Sequence, residues 1–342
     1  MVSLSRMALA LALPLALAGF PAVSLAQGEV NVYSARQEAL IKPLMDDFTA
    51  QTGIRVNIVS ARADALLQRL LSEGRNTPAD VLITVDAGNL NNAKQNGVLA
   101  AIDSEVLNAA VPEALRDAEG HWYGLSMRAR PILYNRDRVD PATLSDYEAL
   151  TDAQWRGRIC IRSSSNVYNQ SMTASMIIAN GVEATETWAR GLVANLARPP
   201  RGGDRDQIRA AAAGQCDIAI ANTYYIGLML NGEGADLEAA RALGVHWPNQ
   251  EGRGVHVNVS GAGVITHSRN KDNAVKLLEF LVSDSAQRWY AEINQEYPVK
   301  EGVAWSETLQ SFGSFKADSV NLGSLGNYNA EAVRLMDRAG WQ

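Results

Sequence analysis

The sequence predicts an α/β protein made of two lobes around a cleft. Three observations predict it. Strand-like and helix-like segments alternate along the whole chain, and 342 residues exceed one average domain. No proline-rich linker, internal repeat or low-complexity tract divides the chain into independent units. Alternation of this kind argues for mostly parallel sheets covered by helices.

Glu29 to Tyr33 reads as a strand, followed by the polar turn Ser34-Ala35-Arg36. Leu40 to Thr52 carries apolar residues at helical spacing, and Gly53 is placed to stop it. Ile54 to Val59 is the next strand, Ala63 to Ser72 the next helix, ended by Gly74, and Val81 to Thr84 a short buried strand. This opening is a right-handed doubly wound unit. Met127 to Tyr134 is another extended run, in which alternation sets Arg128 and Arg130 on one side, with at least one of them facing cleft or solvent. A second series follows: a strand over Arg158 to Arg162, a helix from about Ser171, a strand over Asp217 to Ala221 and a helix after Tyr224. Gly261 to Thr266 returns as a strand and Asn270 to Ser283 as an amphipathic helix. The division this suggests is 27–128 plus about 255–305 for the first lobe and about 129–254 plus 306–342 for the second, joined by crossing strands. In such a fold ligands bind between the lobes, at loops that follow strand ends.

The first residues set the expected compartment. Basic Arg6, an apolar run from Met7 to Ala18 and small residues at Ser24-Leu25-Ala26 have the layout of a Sec signal peptide over 1–26. The run is short for a membrane span, and no later stretch approaches the required length, so no stable membrane insertion is expected. A formal net charge of −6 without basic runs argues against nucleic acid as a partner. Cys160 and Cys216, the only cysteines, suggest one disulfide in an oxidising compartment; two buried free thiols are the alternative.

Candidate chemistry gathers at strand-to-helix junctions. Asn222-Thr223-Tyr224-Tyr225 follows a buried strand, although one tyrosine could be core and the other surface. Arg162-Ser163-Ser164-Ser165-Asn166-Val167-Tyr168 occupies a similar junction. Helix capping explains its serines but not an aromatic in so polar a loop. Arg36, after the first strand, could hold a carboxylate, carbonate or phosphate in a fork, or be a structural ion pair. The four histidines are dispersed, Gly261-Ala262-Gly263 lacks a GxGxxG continuation, and neither GxSxG nor HExxH occurs, so no hydrolase site is visible.

Taken together, Val32-Tyr33-Ser34-Ala35-Arg36, Gln51-Thr52-Gly53-Ile54-Arg55-Val56, Thr77-Pro78-Ala79-Asp80-Val81, the serine-rich Tyr168 segment, Asn222 to Tyr225 and Glu296-Tyr297-Pro298-Val299 carry a family resemblance. The chain resembles the periplasmic ferric-iron-binding proteins of ABC importers, in particular those that use three tyrosines of the second lobe. The resemblance implies a type II-like periplasmic binding fold and Fe(3+) held by Tyr168, Tyr224 and Tyr225. It implies a monomeric, non-enzymatic receptor whose partners are an inner-membrane permease and its ATPase. Ferric ion is a hard acceptor that favours phenolate oxygen, which agrees with the assignment. Where many members have His or His-Tyr after the first arginine, this chain has Gln37 and Glu38, and Val85 stands where some have a carboxylate, with Asp86 one step off. The expectation is that Arg36, with Arg128 or Arg130, holds a carbonate-like anion; Glu38 as a direct ligand competes with it. The same fold binding another metal, a polyamine or an organic anion is the nearest rival.

Overall fold

The computed structural model describes residues 28–342; the expected signal peptide lies outside the described residues. β1 (Glu29–Ser34), α1 (Lys42–Thr52), β2 (Arg55–Ser60), α2 (Ala63–Glu73) and β3 (Val81–Val85) follow in the expected order. β1 is paired in parallel on both sides, Tyr33 in register with Val59 of β2 and Leu82 of β3. Val30, Val32, Val81 and Ile83 alternate onto one face and bury themselves with Leu44 and Phe48 of α1. Each such side chain contributes about 1.5–3 kcal/mol on burial. Gly53 ends α1 with φ 72°, a left-handed cap that a residue with a Cβ adopts only at a cost.

α3 (Ala87–Gln95) and α4 (Glu105–Ala110) lead to β4 (Tyr123–Ala129). The extended run expected over Met127 to Tyr134 is two strands, since β5 (Ile132–Asn135) belongs to a different sheet. The break falls at Arg130-Pro131, where proline has no N–H with which to continue a ladder. Arg130 thus lies beyond the end of β4, and both Arg128 and Arg130 are only 1% exposed, facing no solvent.

The second sheet is assembled from β5 and the elements that follow. They are β6 (Ile159–Cys160), α5 (Val167–Asn180), α6 (Val182–Ala194), α7 (Asp204–Ala212), β7 (Ile218–Ile220), α8 (Thr223–Leu230), α9 (Gly234–Arg241) and β8 (Leu243–His246). Its order is β6-β7-β5-β8, with β6 parallel to β7 and β5 antiparallel to both neighbours. β6 and β7 are shorter than expected. α5 begins at Val167 rather than near Ser171, because the Asn166 carboxamide accepts the Tyr168 N–H at 3.1 Å and caps the helix. Tyr168 therefore stands in a first helical turn, not in a loop. Cys160 and Cys216 are joined by a disulfide with Cα atoms 5.9 Å apart.

β9 (Val257–Val264) carries the chain back and inserts between β3 and β4, antiparallel to both; it starts four residues before the expected Gly261. A Cβ on Gly261 would stand 2.7 Å from the Tyr123 carbonyl oxygen, so this glycine serves close strand packing. α10 (Lys271–Leu281) and α11 (Asp284–Glu292) precede β10 (Tyr297–Pro298), which completes the six-stranded order β10-β4-β9-β3-β1-β2. α12 (Glu307–Ser311) rests on α8, the turn at Leu322–Asn327 on α3, and α13 (Asn329–Arg338) on α5 and α6. The C-terminal segment thus touches the helices of both sheets. No helix among the described residues is long and apolar enough to cross a membrane.

Candidate functional site

Two helix starts bring the tyrosines together. Tyr168 lies in the first turn of α5 and Tyr224 and Tyr225 in the first turn of α8. α8 is anchored from below by Ile226 and Met229, buried in the core of the second sheet. The Tyr168 and Tyr224 hydroxyls are 3.2 Å apart, and the Tyr224 and Tyr225 rings lie 4.1 Å apart, tilted by 31°. Tyr168 and Tyr224 are 8% and 9% exposed. All three thus crowd phenol oxygens at the positive ends of helix dipoles, where negative charge is favoured.

Burial opposes ionisation of these phenols. Tyr224 and Tyr225 are both pushed above the usual phenol range, first by burial and then by the neighbouring tyrosines. Both remain protonated at neutral pH until something replaces the protons. A strong Lewis acid does so, because coordination favours the anionic form.

Beneath the tyrosines a buried carboxylate collects cations. Asp204, at the start of α7, accepts from Arg130 Nη1 at 3.0 Å, from Arg162 Nη1 at 2.5 Å and from the Asn222 backbone N–H at 3.0 Å. Arg130 also donates to Asn222 Oδ1 at 2.9 Å and to Asn169 Oδ1 at 2.7 Å. One ion network therefore ties the α5 start to the α8 start. The guanidiniums of Arg128, Arg130 and Arg162 stand 5.8, 5.9 and 5.5 Å from the Tyr168 ring centroid.

The opposite wall follows the strands of the first sheet. Arg36 is 6% exposed; its Nη2 donates to Glu296 at 3.0 Å and its Nη1 to Ser260 Oγ, while Nε has no partner. Burial works against its charge, but Glu296 keeps it firmly protonated. Glu296 is itself buried and also accepts from Ser126 Oγ at 2.7 Å. Arg128 shares Ser260 at 2.9 Å. Asp86 is fully buried with φ 75°, a conformation held by hydrogen bonds from the Gly88 N–H, Ser171 Oγ and Asn258 Nδ2.

Between the walls lies a cavity of about 430 Å³, lined by Tyr168, Tyr224 and Tyr225 on one side and by Arg36, Gln37 and Glu296 among others on the opposite side. A polar annex of about 730 Å³ adjoins it, sharing Ala35, Val85, Tyr168 and Tyr225. Gln37 is exposed and lines the cavity; Glu38 is exposed and does not. Arg128 and Arg130 stand behind the lining, committed to Ser260 and to Asp204.

Residues 43–317 match the family described as bacterial extracellular solute-binding protein. The chain belongs to that family. Iron uptake protein A1 of Synechocystis is 49% identical to this solute-binding protein over 317 residues, 92% of this chain and 88% of the relative. A Trichodesmium protein solved in complex with iron and citrate ligands superposes with a TM-score of 0.89 at 48% identity, covering 92% of this chain and all of that one. The ferric binding protein of Campylobacter jejuni gives a TM-score of 0.87 at 38% identity, with 92% of this chain and 100% of that one covered. The two-lobed α/β fold of such binding proteins is thereby established for this chain, as is its class as a receptor.

In this solute-binding protein the tyrosines and Arg36 named from the sequence line one cavity, whereas the sequence reading did not single out Asp204, Ser260 and Glu296. Glu296 was in view within Glu296-Tyr297-Pro298-Val299, yet nothing local says that it reaches Arg36 across 260 residues of chain. Asp204 lies in Arg201-Gly202-Gly203-Asp204-Arg205-Asp206, which reads as a solvated charged turn.

Proposed function

We propose that this protein is a periplasmic receptor that binds ferric iron through the phenolates of Tyr168, Tyr224 and Tyr225 and delivers it to an inner-membrane ABC permease and its ATPase. The observation that carries the reading is the convergence of three tyrosines in one cavity, two of their oxygens 3.2 Å apart. Three phenolates balance the three charges of the metal, and oxygen donors suit so hard a cation. The names of the relatives, iron uptake protein and ferric iron-binding protein, support the same cargo. The disulfide supports export to an oxidising compartment through the expected signal peptide. The two sheets support a division into lobes near 128–129 and again near 255, closing about the cargo by a hinge. A carbonate-like anion near Arg36 would fill the positions that the tyrosines leave open. A polyamine is disfavoured, because the cavity is lined by Arg36 and Arg205 while its one carboxylate, Glu296, is already paired.

Purified protein loaded with ferric iron should show a visible phenolate-to-iron charge-transfer band. Tyr224→Phe and Tyr225→Phe should each weaken the band and lower iron affinity by at least about tenfold, one ligand bond being worth more than a single charged hydrogen bond. Unchanged colour and affinity in both variants would remove the assignment.

A further inference from the structure

We propose that Asp86 and Gln295 are positioning residues for retention of the metal. Each is a left-handed seat on the half built around the six-stranded sheet, and each receives one tyrosine-bearing helix of the other half, a turn beyond its tyrosine. This rests on the three-tyrosine reading above. Among the described residues, those other than glycine with φ in the left-handed region are Asp86 at 75°, Asn249 at 59° and Gln295 at 54°. A residue with a Cβ holds that conformation only where its surroundings enforce it. Asp86 and Gln295 lie against α5 and α8.

Asp86 meets α5. Its Oδ1 accepts from the Gly88 N–H at 2.9 Å and from Ser171 Oγ, and its Oδ2 accepts from Asn258 Nδ2 at 2.9 Å. The bond from Ser171 crosses between the halves, whereas Gly88 and Asn258 belong to the half that holds Asp86. Gly88 permits the approach, since a Cβ there would lie 3.3 Å from Ser171 Oγ and 3.7 Å from Val167 Cγ2. Gln295 meets α8 by shape instead. It is 2% exposed, and its amide is occupied by Ser306 Oγ at 2.8 Å and by the Glu292 carbonyl at 2.7 Å. A Cβ on Gly227 would stand 2.7 Å from Gln295 Cβ and 3.2 Å from its Cγ, so α8 rests on this side chain through bare backbone.

The two contacted positions run against local helix chemistry. Glycine inside a helix is less favourable than alanine, and serine there is neutral at best. Ser171 nevertheless stands within α5, its hydroxyl given to Asp86, and Gly227 stands within α8. What they share is spacing. Ser171 comes three residues after Tyr168 and Gly227 three after Tyr224, which puts each on the same helix face as its tyrosine. Seating those faces brings the phenols up to the opposite wall of the cavity, where Val85 adjoins Asp86 and Glu296 adjoins Gln295. When the halves part, both seats are vacated. The seats therefore stabilise the closed form alone, and govern how slowly iron leaves rather than how it is coordinated.

The test uses the full exported chain loaded with ferric iron, and follows release to an external chelator by loss of the charge-transfer band. Ser171→Ala removes a hydrogen bond to a buried carboxylate and should speed release by about tenfold or more. Gly227→Ala drives a methyl group into Gln295 and should speed it at least as much. In both variants the band keeps its wavelength, because the ligands are untouched. The melting midpoint of the iron-free protein should stay in place in Ser171→Ala and stay or rise in Gly227→Ala, alanine being the better helix former, while the iron-loaded midpoint falls in both. Adding Gln295→Gly to Gly227→Ala removes the three nearest atoms that the new methyl would meet, so the pair should release iron more slowly than Gly227→Ala alone. Wild-type release rates in both single variants overturn the proposal. So does an iron-free midpoint lowered as far as the loaded one, which would mark these contacts as ordinary packing, and a pair no slower than Gly227→Ala overturns the part given to Gln295. Failure of the tyrosine reading is distinguishable, because then no band forms in the wild type.

Discussion

Asp204 illustrates what a single side chain does here. Its carboxylate serves two guanidiniums, those of Arg130 and Arg162, and is 1% exposed. Asp204→Asn keeps the shape but strands two positive charges, so it should destabilise the protein by about 3–5 kcal/mol in denaturant unfolding. A loss under about 1 kcal/mol would mean that water reaches the pair. At this scale the sequence was half legible. Aromatic residues at strand-to-helix junctions stood out because hydroxyl-bearing rings rarely gather in so polar a setting. Asp204 and Glu296 did not stand out, because acidic residues are common and their role exists only through partners remote in sequence. At least one of Arg128 and Arg130 was expected to face cleft or solvent, and the fold instead buries both as struts behind the tyrosines.

Among the elements, the strand-helix-strand opening was readable almost to the residue. Gly53 and Gly74 mark helix ends by their own chemistry, and β-branched runs mark strands. α5 was misjudged at its start because Asn166 acts as its cap through its own side chain, and a loop rich in serine hides that signal. The split of Met127 to Tyr134 was available in Pro131 but needs knowledge of which sheet each half joins. The disulfide ties β6 to the residue before Asp217 and closes a span with sequence separation 56. Replacing both Cys160 and Cys216 by Ser should lower stability by about 4 kcal/mol, the chain-entropy value for a loop of that length, measured as a shift in the denaturant midpoint. An unshifted midpoint would indicate that the unfolded chain was already compact.

For the whole molecule, the two sheets are joined where a histidine is trapped. His256 directly precedes β9, is 3% exposed, and has its pKa lowered to about 3, first by burial and then by Arg253, Arg130 and Arg128. The unfolded chain takes up this proton near pH 6.5 and the folded chain does not until about pH 3. Stability therefore falls as pH drops through that window, by up to roughly 1.4 kcal/mol per unit from this group. In His256→Gln that contribution should vanish, so the stability gap between variant and wild type should change between pH 6.5 and 4. A constant gap across those pH values would rule the group out as the source. The two-lobed plan was legible from alternation and length, whereas the manner of joining was not, because it depends on pairings between strands more than a hundred residues apart.

β9 lies between β3 and β4. The six-stranded sheet consequently has no complete form until residues 257–264 are available, however early its other strands emerge. A chain threaded through a membrane from its N-terminus would wait, with the edges of β3 and β4 unpaired, for three-quarters of its length to arrive. In a chain delivered this way the sheet would close late by topology, and the waiting edges are the stretch that a chaperone would have most to shield.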